Sequence, residues 1–283
     1  MERGFRPFKD KNEETAAKVI LAAIDKGEKD IFENSEVVNK QCLFYSYKDI
    51  IGVYCKYLYD DEVHIQIGFN KDMPKELTSE LLNLIESAQR EVKCDIDIWY
   101  SPRNGKLEKF LNDNLKWKKQ GSKTYEVTAI NNSYNKVHSW QIDNVTIIPF
   151  QERYIIDTCS MLDRSLAHTY DDPTKGIFLN NKNTYVNQWR EKGKIGECCI
   201  MMEDDIVIGA YILSGAEIEV IAVSSDNQGK GFGGQLLRHA INHILKSHKE
   251  LPYLYCKSYN SNALNFYQHE GMDITAYSSY IVL

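Results

Sequence analysis

Two periodicities of apolar residues recur along the chain, one typical of β-strands and one typical of amphipathic helices, and they come in the same order twice. The second-half elements are predicted as strands 198–202, 206–213 and 217–223 and a helix over 233–246, with first-half counterparts at 42–46, 50–57, 64–69 and 76–91. This order of strands and helices is typical of a mixed α/β fold.

The two halves also begin and end alike. The segment 5–10 is echoed by 147–152, and each of these precedes a helical stretch, 13–25 or 152–167. Strand-like segments at 95–100 and 252–257 lead into short helical segments at 101–115 and 258–272, and final strands are predicted at 124–128 and 277–283. The repeat therefore predicts two tandem domains, 1–137 and 138–283, joined by a polar stretch without periodicity.

Composition is typical of a folded globular protein, with 43% hydrophobic and 26% charged residues. A net charge of −6 gives no sign of a nucleic-acid partner. No segment approaches the ~20 apolar residues of a membrane-spanning helix, and the N-terminal segment has no apolar core like that of a signal peptide. We therefore expect a soluble, cytoplasmic protein without a membrane partner.

The cysteine and histidine patterns do not favour a metal site. The seven cysteines fall mostly in apolar strand-like runs and are expected to be reduced and buried. Cys198 and Cys199 are adjacent, so on a strand they point to opposite faces. His239 and His243 have the i, i+4 spacing of a metal pair, but no Glu or Cys accompanies them, and a solvated helix face is the expectation.

The strongest chemical signal is a glycine cluster between a strand and a helix, in EIEVIAVSSDNQGKGFGGQLL over 217–237. Glycines allow a ligand to approach the backbone closely, and the first turn of a helix has unpaired N–H groups at its positive end, so the turn suits a diphosphate. Gly229, Gly231 and Gly234 also satisfy G-x-G-x-x-G. A dinucleotide fold fits poorly, because only about fifty residues follow and the next strand ends in Lys257 instead of an acidic residue.

The segment Gln228-Gly229-Lys230-Gly231-Phe232-Gly233 resembles the Q/R-x-x-G-x-G/A acyl-CoA signature of the GCN5-related N-acetyltransferase (GNAT) family. The stretch from Asn260 to Tyr267 and on to Gly271 is similar to the family's N-x-x-A-x-x-x-Y-x-x-x-G-F motif, with Met272 in place of the usual Phe. The resemblance covers 145–283 and implies two tandem GNAT domains, each a mixed, mostly antiparallel sheet flanked by helices. It implies acetyl-CoA as cosubstrate, no metal, and acetyl transfer to a primary amine by direct attack.

The resemblance also implies roles for individual residues. Tyr267 stands at the family's general acid, and either Glu219, which we favour, or Glu217 at the general base; the two carboxylates are two residues apart and so share a strand face. A solvated strand face is the alternative for both. The backbone N–H at Val223 would meet the oxyanion, and Asn260 and Asn262 would bind the pantetheine amides or cap the short helix. The cofactor-binding residues are then Ala222, Val223, Gln228, Gly229, Lys230, Gly231, Phe232, Gly233, Gly234, Asn260, Asn262 and Tyr267.

The first domain is expected to be a degenerate copy that does not bind acetyl-CoA. In the repeat, Phe110 stands opposite Tyr267, Arg103 opposite Asn260 and Gly105 opposite Asn262. Its turn, 70–75, contains no glycine, and Pro74 lacks an N–H.

The acceptor is less well indicated. We expect its site over 162–189, including the acidic Tyr170-Asp171-Asp172, which is compatible with a cationic amine or simply with a solvated loop. A small-molecule amine and a peptide amine both remain open, as do a monomer and a homodimer. The alternative functions are a non-catalytic acyl-CoA sensor and an aminoacyl transferase of the tandem Fem-like type.

Overall fold

The computed structural model describes residues 4–34, 40–58, 62–129, 144–170, 174 and 176–283. The chain forms two compact units. The first contains Met1–Glu126, Lys257–Tyr259 and Ile274–Leu283, and the second contains Val127–Cys256 and Asn260–Asp273. The domain boundary predicted after residue 137 lies outside the described residues.

The first unit is a mixed sheet with helices packed on it. Its strands are β1 (Lys40–Tyr47), β2 (Ile50–Leu58), β3 (Glu62–Phe69), β4 (Asp95–Tyr100) and β5 (Lys119–Gln120), and its helices are α1 (Lys11–Ala22), α2 (Lys26–Glu33), α3 (Thr78–Glu91) and α4 (Gly105–Asn114). β1, β2 and β3 are antiparallel neighbours, and β3 runs parallel to β4. β6 (Thr124–Ala129) crosses the division between the units.

The last strand of the chain, β12 (Met272–Val282), completes the first unit's sheet. Its residues from Ser279 to Val282 pair antiparallel with β4, and Ile281 and Val282 pair with β5. Ile281 is fully buried in the same core as Ile65 and Leu81. The first unit is therefore built from both ends of the chain.

The second unit has the same mixed α/β plan. Its elements in chain order are β7 (Val145–Pro149), α5 (Ile155–Leu166), α6 (Ile177–Asn180), α7 (Lys182–Lys194), β8 (Cys198–Glu203), β9 (Ile206–Ser214), β10 (Glu217–Val223), α8 (Phe232–Ser247), β11 (Tyr253–Lys257) and α9 (Ser261–His269). β7 to β10 are antiparallel neighbours, and β11 lies parallel to β10. α5 supplies Cys159 and Leu162 to a core completed by Trp189 of α7 and by the β-strands.

The predicted α/β order is confirmed, and the differences are local. The helix predicted over 13–25 ends at Ala22, because Asp25 instead caps α2 by accepting a hydrogen bond from the Glu28 N–H at 2.9 Å. α2, α6, α7 and β7 were not predicted. α7 has little apolar periodicity, and Trp189 and Gly193 are its buried residues.

Candidate active site

The glycine turn links β10 to α8 through two residues in the left-handed region. Gly229 has φ +75° and Gly231 φ +89°. A Cβ built on either glycine would meet no atom within 4 Å, so open space surrounds both. The glycines are needed here for their backbone conformation, since an L side chain at these φ values is strained.

The N-terminus of α8 has unsatisfied donors. No side chain caps the helix. Its first intrahelical acceptor is Gly231, which receives the Gln235 N–H at 3.3 Å. Within the described residues, the N–H groups of Gly231, Phe232, Gly233 and Gly234 have no hydrogen-bond acceptor. Four unpaired donors at the positive end of a 16-residue helix have the geometry and polarity that favour an anion.

Two side chains of the turn form hydrogen bonds within it. Gln228 Nε2 donates to Val223 O at 3.2 Å, and Lys230 Nζ donates to Asn227 Oδ1 at 2.6 Å. The Phe232 ring is buried, so this residue presents its backbone to the turn. Gly234 packs against Glu270, since a Cβ there would lie 2.8 Å from Glu270 Oε1.

β10 and β11 separate soon after they meet. Their one pair of partners among the described residues is Glu217 opposite Tyr253. By contrast, the equivalent strands of the first unit, β3 and β4, stay paired from Glu62 opposite Asp95 to Ile67 opposite Tyr100. The second unit therefore has a gap between parallel strands, and the first unit has none at this point.

Backbone donors line this gap. The Ser224 N–H donates to Ile208 O at 2.8 Å, so the N–H of Ser224 points toward β9. In an antiparallel pair, successive residues direct their N–H groups alternately toward and away from the partner. Ala222 accordingly pairs with β9, and the N–H groups of Ile221 and Val223 point toward the side where β11 has separated.

Tyr267 lies on α9, half-buried, with its ring 5.3 Å from that of Phe266. Its hydroxyl makes no hydrogen bond to any residue the structure describes, so it is not held by the backbone. Burial, together with the nearby Cys256 thiol, raises the pKa of this phenol above its ordinary value of 10. The hydroxyl is thus protonated at neutral pH and able to donate.

The two asparagines differ. Asn260 is the N-cap of α9, and its Oδ1 accepts the Ala263 N–H at 3.2 Å while its Nδ2 lies 3.3 Å from His168 Nε2. The capping interpretation of Asn260 is therefore realised. Asn262 is exposed and has no hydrogen bond within the described part of the chain.

One of the two predicted carboxylates, Glu219, lies in a β-bulge. The register of β10 against β9 shifts between Ile218 and Val220, which makes Glu219 the extra residue. Glu219 Oε2 lies 3.0 Å from Lys192 Nζ on α7, and Lys192 also donates to Leu213 O. Glu217 is half-buried at the strand start. Sequence reasoning missed Lys192, because nothing in the α7 sequence indicates a partner 27 residues away.

The expected acceptor region is described in part. Asp171 and Asp172 lie outside the described residues. Asp163 accepts hydrogen bonds from the Phe178 and Leu179 N–H groups, both at 2.9 Å, and so caps α6. Tyr170 donates to Asp163 at 3.3 Å.

The first unit differs from the second at the corresponding places. Asn104 binds its turn internally, with Nδ2 2.7 Å from Lys71 O and Oδ1 3.3 Å from Met73 N. Phe110 is buried in the core. The turn over 70–75 contains no glycine, so it lacks the left-handed glycines of the second unit's turn.

Over the described ranges, no group of three or more His, Cys, Asp or Glu side chains is placed to hold a metal ion. Among the same residues, no helix is long and apolar enough to span a bilayer.

Residues 155–272 match the model of the acetyltransferase (GNAT) family. A GCN5-related N-acetyltransferase from Sphaerobacter thermophilus is 10% identical with a TM-score of 0.54, over 94% of this chain and 90% of that one. A GNAT-family acetyltransferase from Colwellia psychrerythraea is 10% identical with a TM-score of 0.51, over 99% of both chains. At such identities the likeness concerns the fold, and it extends through both units.

A tandem GNAT protein from the clavulanic acid biosynthesis pathway is also similar, with 8% identity and a TM-score of 0.47 over 99% of this chain and 96% of that one. A search of curated proteins finds no match to this sequence.

Proposed function

Because residues 155–272 form a domain of the GNAT acetyltransferase family, we propose that the second unit binds acetyl-CoA and transfers its acetyl group directly to a primary amine. The observation that carries the proposal is the turn at the start of α8, where two left-handed glycines precede four unpaired backbone donors. The first unit is proposed to be a silent copy.

The diphosphate of the cofactor would lie on the turn from Gly229 to Gly234. Here the backbone is open, the donors converge and the helix dipole favours an anion. Lys230, which is exposed, adds a positive charge beside the same turn. Gln228 acts indirectly, since its amide holds the carbonyl of Val223.

The pantetheine arm would enter the gap between β10 and β11. Its amides have the same donors and acceptors as a strand, so it can occupy the unpaired edge of β10. The N–H groups of Ile221 and Val223 supply donors there. We assign the oxyanion of the tetrahedral intermediate to the Val223 N–H, because a fixed backbone donor needs no reorganisation as charge develops.

Tyr267 would return a proton to the departing thiolate. The phenol has an unengaged hydroxyl and a raised pKa, which keeps it in the donor form. A raised pKa also makes the phenol a weaker acid, so its catalytic value depends on proximity to sulfur more than on driving force. Asn262 remains available for the pantetheine amides, and Asn260 serves as the helix cap.

The proton from the amine would pass to Glu219 or Glu217, directly or through water. The Lys192 contact is to Oε2 of Glu219, so it holds the carboxylate in place and ties β10 to α7. Two carboxylates close together on β10 suit a cationic amine, whether it belongs to a small molecule or to a peptide.

Release of free thiol from acetyl-CoA, measured with a thiol reagent over a panel of polyamines, amino acids, aminoglycosides and peptide N-termini, tests the proposal. We expect at least one amine to stimulate release and to appear acetylated by mass spectrometry. Acetyl-CoA binding without turnover on any amine would indicate a sensor. If the protein does not bind acetyl-CoA, with or without an amine, and instead transfers the aminoacyl group of an aminoacyl-tRNA, it is an aminoacyl transferase.

A further inference from the structure

The first unit contains a cavity of about 400 Å³ that the proposed chemistry does not use. It lies between α1 and the carboxyl ends of the parallel strands β3 and β4, with the start of α4 at one side. Crevices at the carboxyl ends of parallel strands are the usual ligand positions in α/β sheets, and this volume is in the range of small-molecule sites. Every lining residue belongs to the first unit.

The floor of the cavity is apolar. Ala23, just after α1, and Phe69, at the end of β3, are partly exposed, whereas Ile20 and Leu107 are buried. Gly68 allows α1 to lie directly on the strand, since a Cβ there would be 2.5 Å from Ile20 Cγ2. At the rim, Val19 is 68% exposed. The surface offered to a ligand is therefore that of a hydrocarbon-binding pocket with an exposed aliphatic edge.

One polar group in the wall has no partner. Ser101 follows β4 directly, and its hydroxyl oxygen is buried without a hydrogen bond to any described residue. A buried hydroxyl without a partner costs free energy, so a bound group that reaches it would recover that cost. The hydroxyl can donate to an anionic oxygen or to a carbonyl.

Among the described residues at the rim, one cationic side chain has no ion-pair partner. Lys71 pairs with Asp49, and Asp72 pairs with Lys106 at 3.1 Å. Arg103 also lines the cavity and makes no ion pair with any residue in the described ranges. A guanidinium with free donors favours a carboxylate, which it can bind through two parallel hydrogen bonds.

We propose that this cavity binds a small amphipathic carboxylate, such as a short-chain fatty acid or an aryl acetate, one molecule per chain. The apolar body would lie against Val19, Ala23 and Phe69, and the carboxylate would be held by Arg103, with the Ser101 hydroxyl turning toward it on binding. The proposal is independent of acetyl transfer, because it concerns residues of the first unit alone.

Isothermal titration of the full-length chain with hexanoate, phenylacetate, hexan-1-ol and hexylamine tests it. We expect the two carboxylates to saturate at one equivalent, hexan-1-ol to bind at least tenfold more weakly, and hexylamine not to bind. Arg103→Gln should weaken hexanoate binding about tenfold or more, because it removes a charged hydrogen-bond donor. Val19→Glu should weaken it through like charge at the rim, and both sites are exposed, so both variants should fold.

Arg90→Gln is the matched control, since Arg90 is exposed on α3 and does not line the cavity. Its hexanoate affinity should equal that of the unmodified protein, and Ser101→Ala should weaken binding severalfold. Saturating CoA should leave the hexanoate stoichiometry unchanged, which separates this cavity from the glycine turn. Absence of saturable binding by either carboxylate would overturn the proposal, as would equal affinity in Arg103→Gln, Val19→Glu and Arg90→Gln.

Discussion

Lys192 Nζ of α7 lies 3.0 Å from Glu219 Oε2 of β10, so the carboxylate proposed as general base is already engaged in an ion pair. The lysine side chain is the more buried partner, with 14% of its surface exposed against 39% for Glu219. Only the lysine is largely buried, so the contact holds the exposed carboxylate in place on β10.

This pair predicts how the rate responds to variants at both residues. Lys192→Met should lower kcat, because the Glu219 carboxylate loses the contact that fixes its position, and the acidic limb of the kcat/KM profile is measured alongside it. Glu219→Gln should abolish that limb. Lys194→Met is the control, because Lys194 pairs with Glu191 instead. If only Glu217→Gln alters the limb, Glu217 is the base and the preference for Glu219 is wrong.

Tyr267→Phe should lower the rate about 10² to 10⁴-fold with little change in acetyl-CoA affinity, because it removes a proton donor and keeps the ring. Pre-steady-state measurement of the chemical step is the appropriate assay. The pKa of the phenol is raised, so the basic limb of the native profile should lie above pH 10. A variant that keeps most of its turnover would place the acid elsewhere.

The full-length protein should bind one acetyl-CoA, not two. In the first unit the equivalent strands remain paired, the turn is tied by Asn104, and Phe110, which aligns with Tyr267 in the repeat, is buried in the core. Native mass spectrometry at saturating acetyl-CoA measures the stoichiometry. Two bound molecules would show that the first unit is a second cofactor site.

Asp25 should make the stability of the protein depend on pH. Burial, with the charges of Glu28 and Glu126, raises the pKa of this carboxyl from 3.8 to about 6. A folded-state pKa above the unfolded value means that the stabilisation is complete below pH 4 and is lost as the pH rises through 6. A pKa difference of one corresponds to about 1.4 kcal/mol, so the change from 3.8 to about 6 lowers the free energy of unfolding by about 3 kcal/mol.

Asp25→Asn keeps a cap for α2 and cannot ionise. The difference in free energy of unfolding between Asp25→Asn and the unmodified protein should therefore change with pH. Measured by denaturant titration, it should shift in favour of the variant by about 2 to 3 kcal/mol from pH 4 to pH 7.5. The exposed cap Asp10, which accepts the Asn12 N–H at 2.8 Å, is the control. Asp10→Asn should show no such shift, and an equal response of both variants would contradict the assignment.

Much of the fold followed from periodicity and from the repeat. The predicted strands of the second unit agree with β8, β9 and β10 to within one residue at each end, because each is bounded by turn residues. α7 was missed because it packs chiefly through Trp189 and has a polar remainder. The placement of 274–283 in the first unit was also missed, since strand pairing over such a sequence distance has no local signal.

The site divides in the same way. The role of Gly229 and Gly231 in a ligand-binding turn was predictable, because a strand precedes them and a helix follows. Their positive φ explains why glycine is needed at these positions. The Lys192–Glu219 pair and the bulge at Glu219 were not, because both depend on tertiary packing. The separation of β10 from β11 was not predictable either, because no local signal shows where two strands part.

Calorimetric titration of acetyl-CoA into two matched glycine variants tests the cofactor site most directly. Gly231 and Gly215 both have positive φ and open space where a Cβ would lie, but only Gly231 belongs to the turn at α8. Gly231→Val should reduce acetyl-CoA affinity at least tenfold, because strain displaces the first donors of the helix, while Gly215→Val should retain it. Equal affinities in the two variants would contradict the assignment of acetyl-CoA to this turn.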